Sequence, residues 1–211
     1  MGEGWVVVND LAQYDKFKRW LQPGDGIAFW GKRRNPVSGL IQFFQRGGPS
    51  HWATVSQAIH ANGPVDVEIF QSTLVPGKIN GCCRTPLAEE LAGCWCATAY
   101  PLANRYHKIL NQTANLESFY AAIGRWTDHV HYDLSGLFRE FLPALLNQSE
   151  CTDRMFCSAA GCRLLEEAGV IMPGLDYSAM TPKAMAELGL WSTQLALVGH
   201  RGVEEFVPCA S

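Results

Sequence analysis

The chain has 211 residues, a formal net charge of −3 and 18% charged residues. Its 47% of hydrophobic residues supports one domain with a sizeable core, which excludes a disordered or coiled-coil protein. The slightly acidic balance argues against nucleic acid as a partner, because binding by neutralisation of phosphates needs a basic protein.

Residues 1–10 decide how the eight cysteines are interpreted. This segment has no basic region and no long apolar run, since Glu3 and Asp10 interrupt it, so it does not resemble a signal peptide. Apolar runs elsewhere are too short to span a bilayer. We therefore expect a cytoplasmic protein without a stable membrane anchor, although signal-independent export stays open. Free thiols are then expected rather than a disulfide framework, which the even cysteine count still allows.

Apolar periodicity and turn residues predict the following elements in chain order. Helices are predicted at 10–21, 37–45, 86–92, 116–127, 134–146, 157–168 and 182–188. Strands are predicted at 27–30, 51–59, 66–73, 78–83, 94–100 and 194–198, and loops at 101–115 and 142–155. Because the strands concentrate in the first half and the helices in the second, the sequence predicts an α+β domain that spans residues 1–211.

Cys157 has the position that is typical of a nucleophile. It begins an apolar stripe with helical spacing, which consists of Cys157, Ala160, Gly161, Leu164, Leu165 and Ala168. The first turn of a helix has free N–H groups and a partial positive charge, and both stabilise a thiolate. A small residue at 161 would also let another element approach the helix closely. A buried structural cysteine fits the same pattern, so this alternative stays open.

A cysteine nucleophile needs a histidine base, and His51 is the candidate because it begins a predicted strand. Its alternate neighbours Ala53, Val55 and Gln57 form a mainly apolar face, which we expect to point toward a helix packed on the sheet. Such a histidine could reach the start of that helix. A histidine that only packs in the core or a turn remains the alternative.

Gln71 is the candidate for the third member of the site. In the next strand Val67, Ile69 and Gln71 share one face, and Glu68, Phe70 and Ser72 share the other, so the valine-rich face is expected to be the core side. A buried glutamine needs hydrogen-bond partners, and an imidazole N–H is a suitable one. Bonding to backbone or water at a strand end is the alternative.

Six segments, taken together and in this order, resemble the circularly permuted branch of the NlpC-type papain-like superfamily, whose members are called YiiX-like. They are PGDGIAFW (23–30), PSHWATV (49–55), VEIFQST (67–73), HYDLSGLF (131–138), MFCSAAGCRLLEEAGV (155–170) and AMTPKAMAELG (179–189). The resemblance covers about residues 22–190. It implies a papain-like fold, in which a small antiparallel sheet packs against helices and the nucleophile lies at a helix N-terminus.

The resemblance implies that Cys157 is the nucleophile, that His51 is its base and that Gln71 orients the imidazole. The chain order is the reverse of papain's, which a permutation explains, and a catalytic site is recognised by its geometry. One departure is Gln71, which stands where an acidic residue is common in this branch. Another is the insert at 142–155, which lies just before the nucleophile.

Three further residues are candidates for substrate binding. Tyr132 could line the pocket, Asp25 could hold the turn at Gly24, and the backbone N–H of Ser158 could contribute to an oxyanion hole. Each also has an ordinary structural interpretation, as a packed tyrosine, a turn former and a helix-start serine. Asp133 is interpreted as the N-cap of the helix predicted at 134–146.

Three functions stay open. The first is a thiol hydrolase that cleaves an amide bond in a peptide or isopeptide. The second is a lipid acyltransferase or thioesterase, because SHWATV also resembles a strand of lecithin retinol acyltransferase-like proteins, although Phe156-Cys157-Ser158 differs from their nucleophile segment. The third is a non-catalytic binding or structural module with a decayed site. No cofactor is implied, and the oligomeric state is not readable.

A metal site is expected to be absent. Cys82, Cys83, Cys94 and Cys96 do not have the spacing of zinc knuckles. Small thiols on two adjacent strands are the simpler interpretation.

Overall fold

The computed structural model describes residues 18–31, 48–58, 67–75, 79–94, 96–133, 154–175, 177, 180–192 and 195–199. The helices predicted at 37–45 and 134–146 lie outside the described residues. So do most of the helix predicted at 10–21, of which Lys18–Trp20 form a 3-10 turn, and most of the loop predicted at 142–155.

Most predicted elements within the described residues are confirmed, with ends that shift by a few residues. The strands are β1 Gly26–Trp30, β2 His51–Ala58, β3 Val67–Val75, β4 Ile79–Pro86, β5 Cys96–Tyr100, β6 His131–Tyr132, β7 Arg154–Met155 and β8 Leu195–Gly199. The helices are α1 Leu87–Gly93, α2 Asn104–Leu110, α3 Thr113–Trp126, α4 Cys157–Glu167 and α5 Pro182–Glu187.

Six strands form one sheet in the order β4-β3-β2-β1-β5-β8, and all of its neighbouring strands are antiparallel. The two short strands β6 and β7 form a separate parallel pair. An antiparallel sheet with helices packed on it is the α+β class that the sequence predicts.

Both faces of the sheet are covered, because apolar residues occur at odd and even positions of the central strands. On one face, Ile27, Phe29, Ala53, Val55 and Ile69 pack with the leucines of α1. On the other, Ala28, Trp52, Phe70 and Tyr100 pack with α4. The face of Val67, Ile69 and Gln71 on β3 is buried, as expected, but the opposite face is buried as well, since Phe70 and Ser72 are as buried as Ile69.

Helix α4 lies directly against β2, as the small residue at 161 predicts. A Cβ atom on Gly161 would lie 3.0 Å from the Thr54 hydroxyl and from the Trp52 indole. The helix ends at Glu167, and Gly169, two residues later, has a φ of 65° that suits the termination of a helix. This close packing fixes the position of the first turn of α4 relative to β2.

Two predictions are wrong. The segment at 101–115 is largely helical, and the pattern hid this because the buried position 107 in α2 is a histidine with a distant partner, Asp25. The strands that carry Cys82 and Cys96 are not adjacent either. Four strand spacings, about 19 Å, separate β4 from β5, because α1 carries the chain back across the sheet to β5, which pairs with β1.

Gly26 tests the packing of Trp52 against β1. A Cβ atom there would lie 2.1 Å from Cζ2 of the buried indole, so Gly26→Ala should lower the free energy of unfolding by about 1–3 kcal/mol. Urea denaturation measures this change. Gly124→Ala is the matched control, because its Cβ meets nothing within 4 Å in α3 and alanine should stabilise that helix by about 0.5–1 kcal/mol. Equal effects of the two substitutions would contradict the described packing.

Candidate active site

The site forms where the pairing of β2 with β3 ends. The two strands pair from Ala58↔Val67 to Thr54↔Phe70, whereas β2 continues along β1 to His51. Val55 donates its N–H to Asp25 of the β1 side at 2.7 Å, so alternation along the strand turns the N–H of Trp52 toward β3. That N–H lies beyond the last paired residues and hydrogen-bonds the sulfur of Cys157 instead.

Cys157 is the first residue of α4 and is 4% exposed. The preceding residue, Phe156, makes no side-chain cap, so the N–H groups of the first turn are not taken by a capping side chain. The N–H of Ser158 hydrogen-bonds the Cys157 sulfur. Two backbone donors, one from the strand and one from the helix, therefore converge on the thiol.

His51 reaches Cys157 by a route that the sequence does not predict. It shares the face of Phe29 and Ala53, opposite the face on which α4 packs, and its ring contacts Phe29 with centroids 5.9 Å apart. The face that His51 shares is apolar and covered by a helix, as expected, but that helix is α1, whereas Cys157 begins α4 on the other face. Because His51 begins β2 and lies beyond the last β2–β3 pair, its side chain can hydrogen-bond Cys157 at the start of α4. Gln57 is exposed, because the register shifts between Val55 and Gln57.

Gln71 fixes the tautomer of His51. Its Nε2 donates to Thr85 Oγ1 at 2.8 Å and to Glu90 Oε1 at 2.7 Å, and a carboxylate can only accept. The Gln71 oxygen must then face His51, where it lies 2.5 Å from Nε2. Nε2 therefore carries a proton, and Nδ1 is the nitrogen left for Cys157.

The electrostatics of the pair favour a thiolate and an imidazolium. Burial alone would lower the pKa of His51, but the Cys157 charge, hydrogen bonds to Cys157 and Gln71, and the Glu90 charge raise it from 6.5 to about 9. Burial alone would raise the pKa of Cys157, but the His51 charge and hydrogen bond and the N–H groups of Trp52 and Ser158 lower it. The other core thiols behave oppositely, since burial raises the pKa of Cys162 and Cys96 to about 12.

Asp25 joins separate segments of the chain through hydrogen bonds to its buried carboxylate. Its carboxylate, 1% exposed, accepts from the N–H of Gln22 and of Leu102 at 2.8 Å and lies 2.9 Å from His107 Nε2. It precedes β1 by one residue, whereas His51 pairs with Phe29, four residues and about 13 Å further along. Substrate contact by Asp25 stays a prediction.

Tyr132 and Ser158 lie close to Cys157 in the fold. Tyr132 is half-buried and pairs with Met155, two residues before Cys157. Ser158 is fully buried, and its hydroxyl donates to the carbonyl of Met180, which ties the start of α4 to the segment before α5. Asp133 is buried and donates its N–H to Met155 O, while the helix it was predicted to cap lies outside the described residues.

Glu90 is the site residue that sequence reasoning missed. Leu87, Glu90 and Leu91 have helical offsets of 0, 3 and 4, so they share the face of α1 that packs on the sheet. A carboxylate within that apolar stripe is the signal that could have indicated it. The hydrogen-bonded series thus runs from Cys157 through His51 and Gln71 to Glu90.

The remaining cysteines form no second site in the described part of the chain. All six cysteines there are free and buried, namely Cys82, Cys83, Cys94, Cys96, Cys157 and Cys162. Among the same residues, no group of three or more histidine, cysteine or acidic side chains could hold a metal ion. No helix within the described ranges is long and apolar enough to cross a membrane.

Comparison of the chain with protein-family models and with curated proteins gives no match.

Alkylation with iodoacetamide tests the Cys157–His51 pair. Cys157 should be a thiolate above its lowered pKa, and His51 should stay protonated beside it up to about pH 9, so Cys157 should react at neutral pH while Cys162 stays a thiol. The alkylation rate of Cys157 should rise a second time near pH 9, where His51 loses its proton. Mass spectrometry of the alkylated peptides measures both. In His51→Ala the reaction should require a pH above about 8; an unchanged pH profile in this variant would contradict the pairing.

Asp25→Ala tests whether the hydrogen bonds of Asp25 stabilise the fold without affecting the reactivity of Cys157. Loss of a buried carboxylate that holds His107 should lower the free energy of unfolding by about 3–5 kcal/mol. Chemical denaturation measures this, with the exposed Glu117→Ala in α3 as the control. At a temperature where the variant is folded, the pH profile of Cys157 alkylation should match that of the unsubstituted protein. A displaced profile would show that Asp25 acts on the site.

Proposed function

We propose that this chain is a papain-like thiol hydrolase of the amidase or peptidase type. The observation that carries the proposal is the hydrogen-bonded series in which Gln71 holds Nε2 of His51 and His51 contacts Cys157. A nucleophile, a base and a group that orients the base are the three parts of an activated cysteine. The chain order is that of the permuted, YiiX-like branch.

The reaction follows from these contacts. The Cys157 thiolate attacks the carbonyl carbon of an amide, and the carbonyl oxygen takes up negative charge. The imidazolium of His51 then donates its Nδ1 proton to the leaving nitrogen, so the C–N bond breaks and a thioester to Cys157 remains. His51, now neutral, removes a proton from water, whose oxygen attacks the thioester and releases the acid and the thiolate.

Charge on the oxygen needs donors at the start of α4. Backbone N–H groups of a first helical turn point toward this position, and Phe156 leaves them without a side-chain cap. The hydroxyl of Ser158 is already bonded to Met180, whereas its backbone N–H, which bonds the Cys157 sulfur before the reaction, becomes available as a donor when the negative charge moves from the sulfur to the oxygen. The pairing of Tyr132 with Met155 supports a role for Tyr132 in the wall of the same pocket.

Trapping of the acyl-enzyme tests the proposal and identifies the bond that is cleaved. Peptide, isopeptide and fatty-acyl thioester libraries are incubated with the protein, quenched with acid and analysed by mass spectrometry. An amide hydrolase should give a peptidyl adduct on Cys157 that is absent in Cys157→Ala, and His51→Ala should lower its rate of formation by about 10²–10⁴-fold. Cys162→Ala is the matched control and should keep the adduct.

The other outcomes are equally definite. A fatty-acyl adduct on Cys157 would replace the amidase by a lipid acyltransferase or thioesterase. Slow alkylation of Cys157, equal to that of the other thiols, together with no adduct from any library, would contradict a hydrolase and favour a binding module.

A further inference from the structure

The carboxylate of Glu90 lies directly behind the residue that orients His51. It accepts a hydrogen bond from Gln71 Nε2 at 2.7 Å, and the Gln71 oxygen lies 2.5 Å from His51 Nε2. The negative charge is therefore one amide group away from the imidazole. Position 71 thus has a glutamine instead of an acidic residue, but the carboxylate of Glu90 lies next to it in the hydrogen-bonded series.

Helix α1 holds Glu90 in this place. Leu87 and Leu91, on the same helical face, are buried against the sheet, which turns Glu90 toward β3 and β4. Its neighbour Glu89 is exposed. Burying part of a carboxylate is costly unless it accepts hydrogen bonds, so the contact with Gln71 compensates for the position of Glu90.

The side-chain amide of Gln71 cannot flip by 180° while Glu90 is ionised. In the flipped orientation two oxygens would face each other at the Glu90 contact, and an N–H would face Nε2 of His51. Thr85 does not select between the two orientations, because a hydroxyl both donates and accepts. Glu90 is the group that selects the orientation in which Gln71 accepts from His51.

We propose that Glu90 is a positioning residue that fixes the Gln71 amide and, through it, stabilises the imidazolium of His51. This inference rests on the thiol hydrolase proposed above. Glu90 touches neither Cys157 nor the reacting atoms. Its role is to make a neutral glutamine act as an acidic orienting residue would act.

The charges around the pair agree with this role. Burial lowers and the Cys157 charge raises the pKa of His51, and Glu90 is a further cause that raises it. A second titratable group beside Gln71 is Cys83 on β4, its pairing partner, whose pKa is raised to about 11 by burial, by Glu90 and by Asp128. Cys83 is therefore uncharged at neutral pH and does not compete with Glu90.

The test is the pH profile of Cys157 alkylation by iodoacetamide in three variants. Glu90→Gln keeps the shape and an acceptor oxygen but removes the charge, and Glu90→Ala removes both. Glu89→Gln removes the neighbouring exposed charge of the same helix and is the matched control. Melting curves establish that each variant is folded.

In the unsubstituted protein, the rate of Cys157 alkylation should be constant around neutral pH, which gives a plateau, and should rise in a second step near pH 9. In Glu90→Gln and Glu90→Ala that step should move down by roughly one pH unit, because the imidazolium loses an opposite charge. Glu89→Gln should leave it in place. A purely structural role in anchoring α1 would change the melting temperature without moving this step.

Two results overturn the inference, and they are distinguishable. If the unsubstituted protein shows the plateau and His51→Ala removes it, but Glu90→Gln and Glu89→Gln give the same profile, Glu90 has no positioning role while the hydrolase proposal stands. If the unsubstituted protein shows no plateau at neutral pH, the thiolate–imidazolium pair is absent and the inference about Glu90 falls; the hydrolase proposal falls with it if no library gives an adduct on Cys157.

Discussion

The two donor hydrogens of the Gln71 amide are the constraint on which the site depends. Both are used, one on Thr85 and one on the carboxylate of Glu90, so the oxygen is the part of the side chain that faces His51. The proton on Nε2 and the free Nδ1 follow from that single orientation. A surface glutamine could not impose it, but this one is 1% exposed and its partners come from three different elements of the fold.

This geometry is possible because the pairing of β2 with β3 ends before His51. If β2 and β3 stayed paired beyond Thr54 and Phe70, the N–H of Trp52 would bond to β3 and Cys157 would lose a donor. Gly161 lets α4 lie close to β2, and the small two-stranded pair holds Met155 just before Cys157. The same arrangement joins the two faces of the sheet, because the helix start from one face meets the histidine from the other.

The amino-acid sequence predicts the parts of this site better than their assembly. Cys157 and Gln71 could be selected because helix periodicity and strand alternation are local properties. His51 was selected from its strand position, but which face α4 covers depends on strand order, which no local pattern contains. The helix at 104–110 and the partners of Asp25 were not predictable for the same reason, since a buried polar residue looks like a loop residue until its distant partner is known. Glu90 can be noticed in the sequence as a carboxylate within an apolar stripe. Its role can be inferred only from the fold, which places Gln71 beside it.

Cys157 is expected to be a thiolate beside the imidazolium of His51 at neutral pH. Ultraviolet absorbance of the thiolate, followed by pH titration of the protein and of Cys157→Ala, measures this directly without a substrate or an alkylating agent. We expect a difference of one thiolate between the two proteins at pH 7, and His51→Ala should abolish this difference because the lowered pKa of Cys157 depends on the charge of His51. A difference that appears only in alkaline solution, as for an ordinary buried thiol, would contradict it.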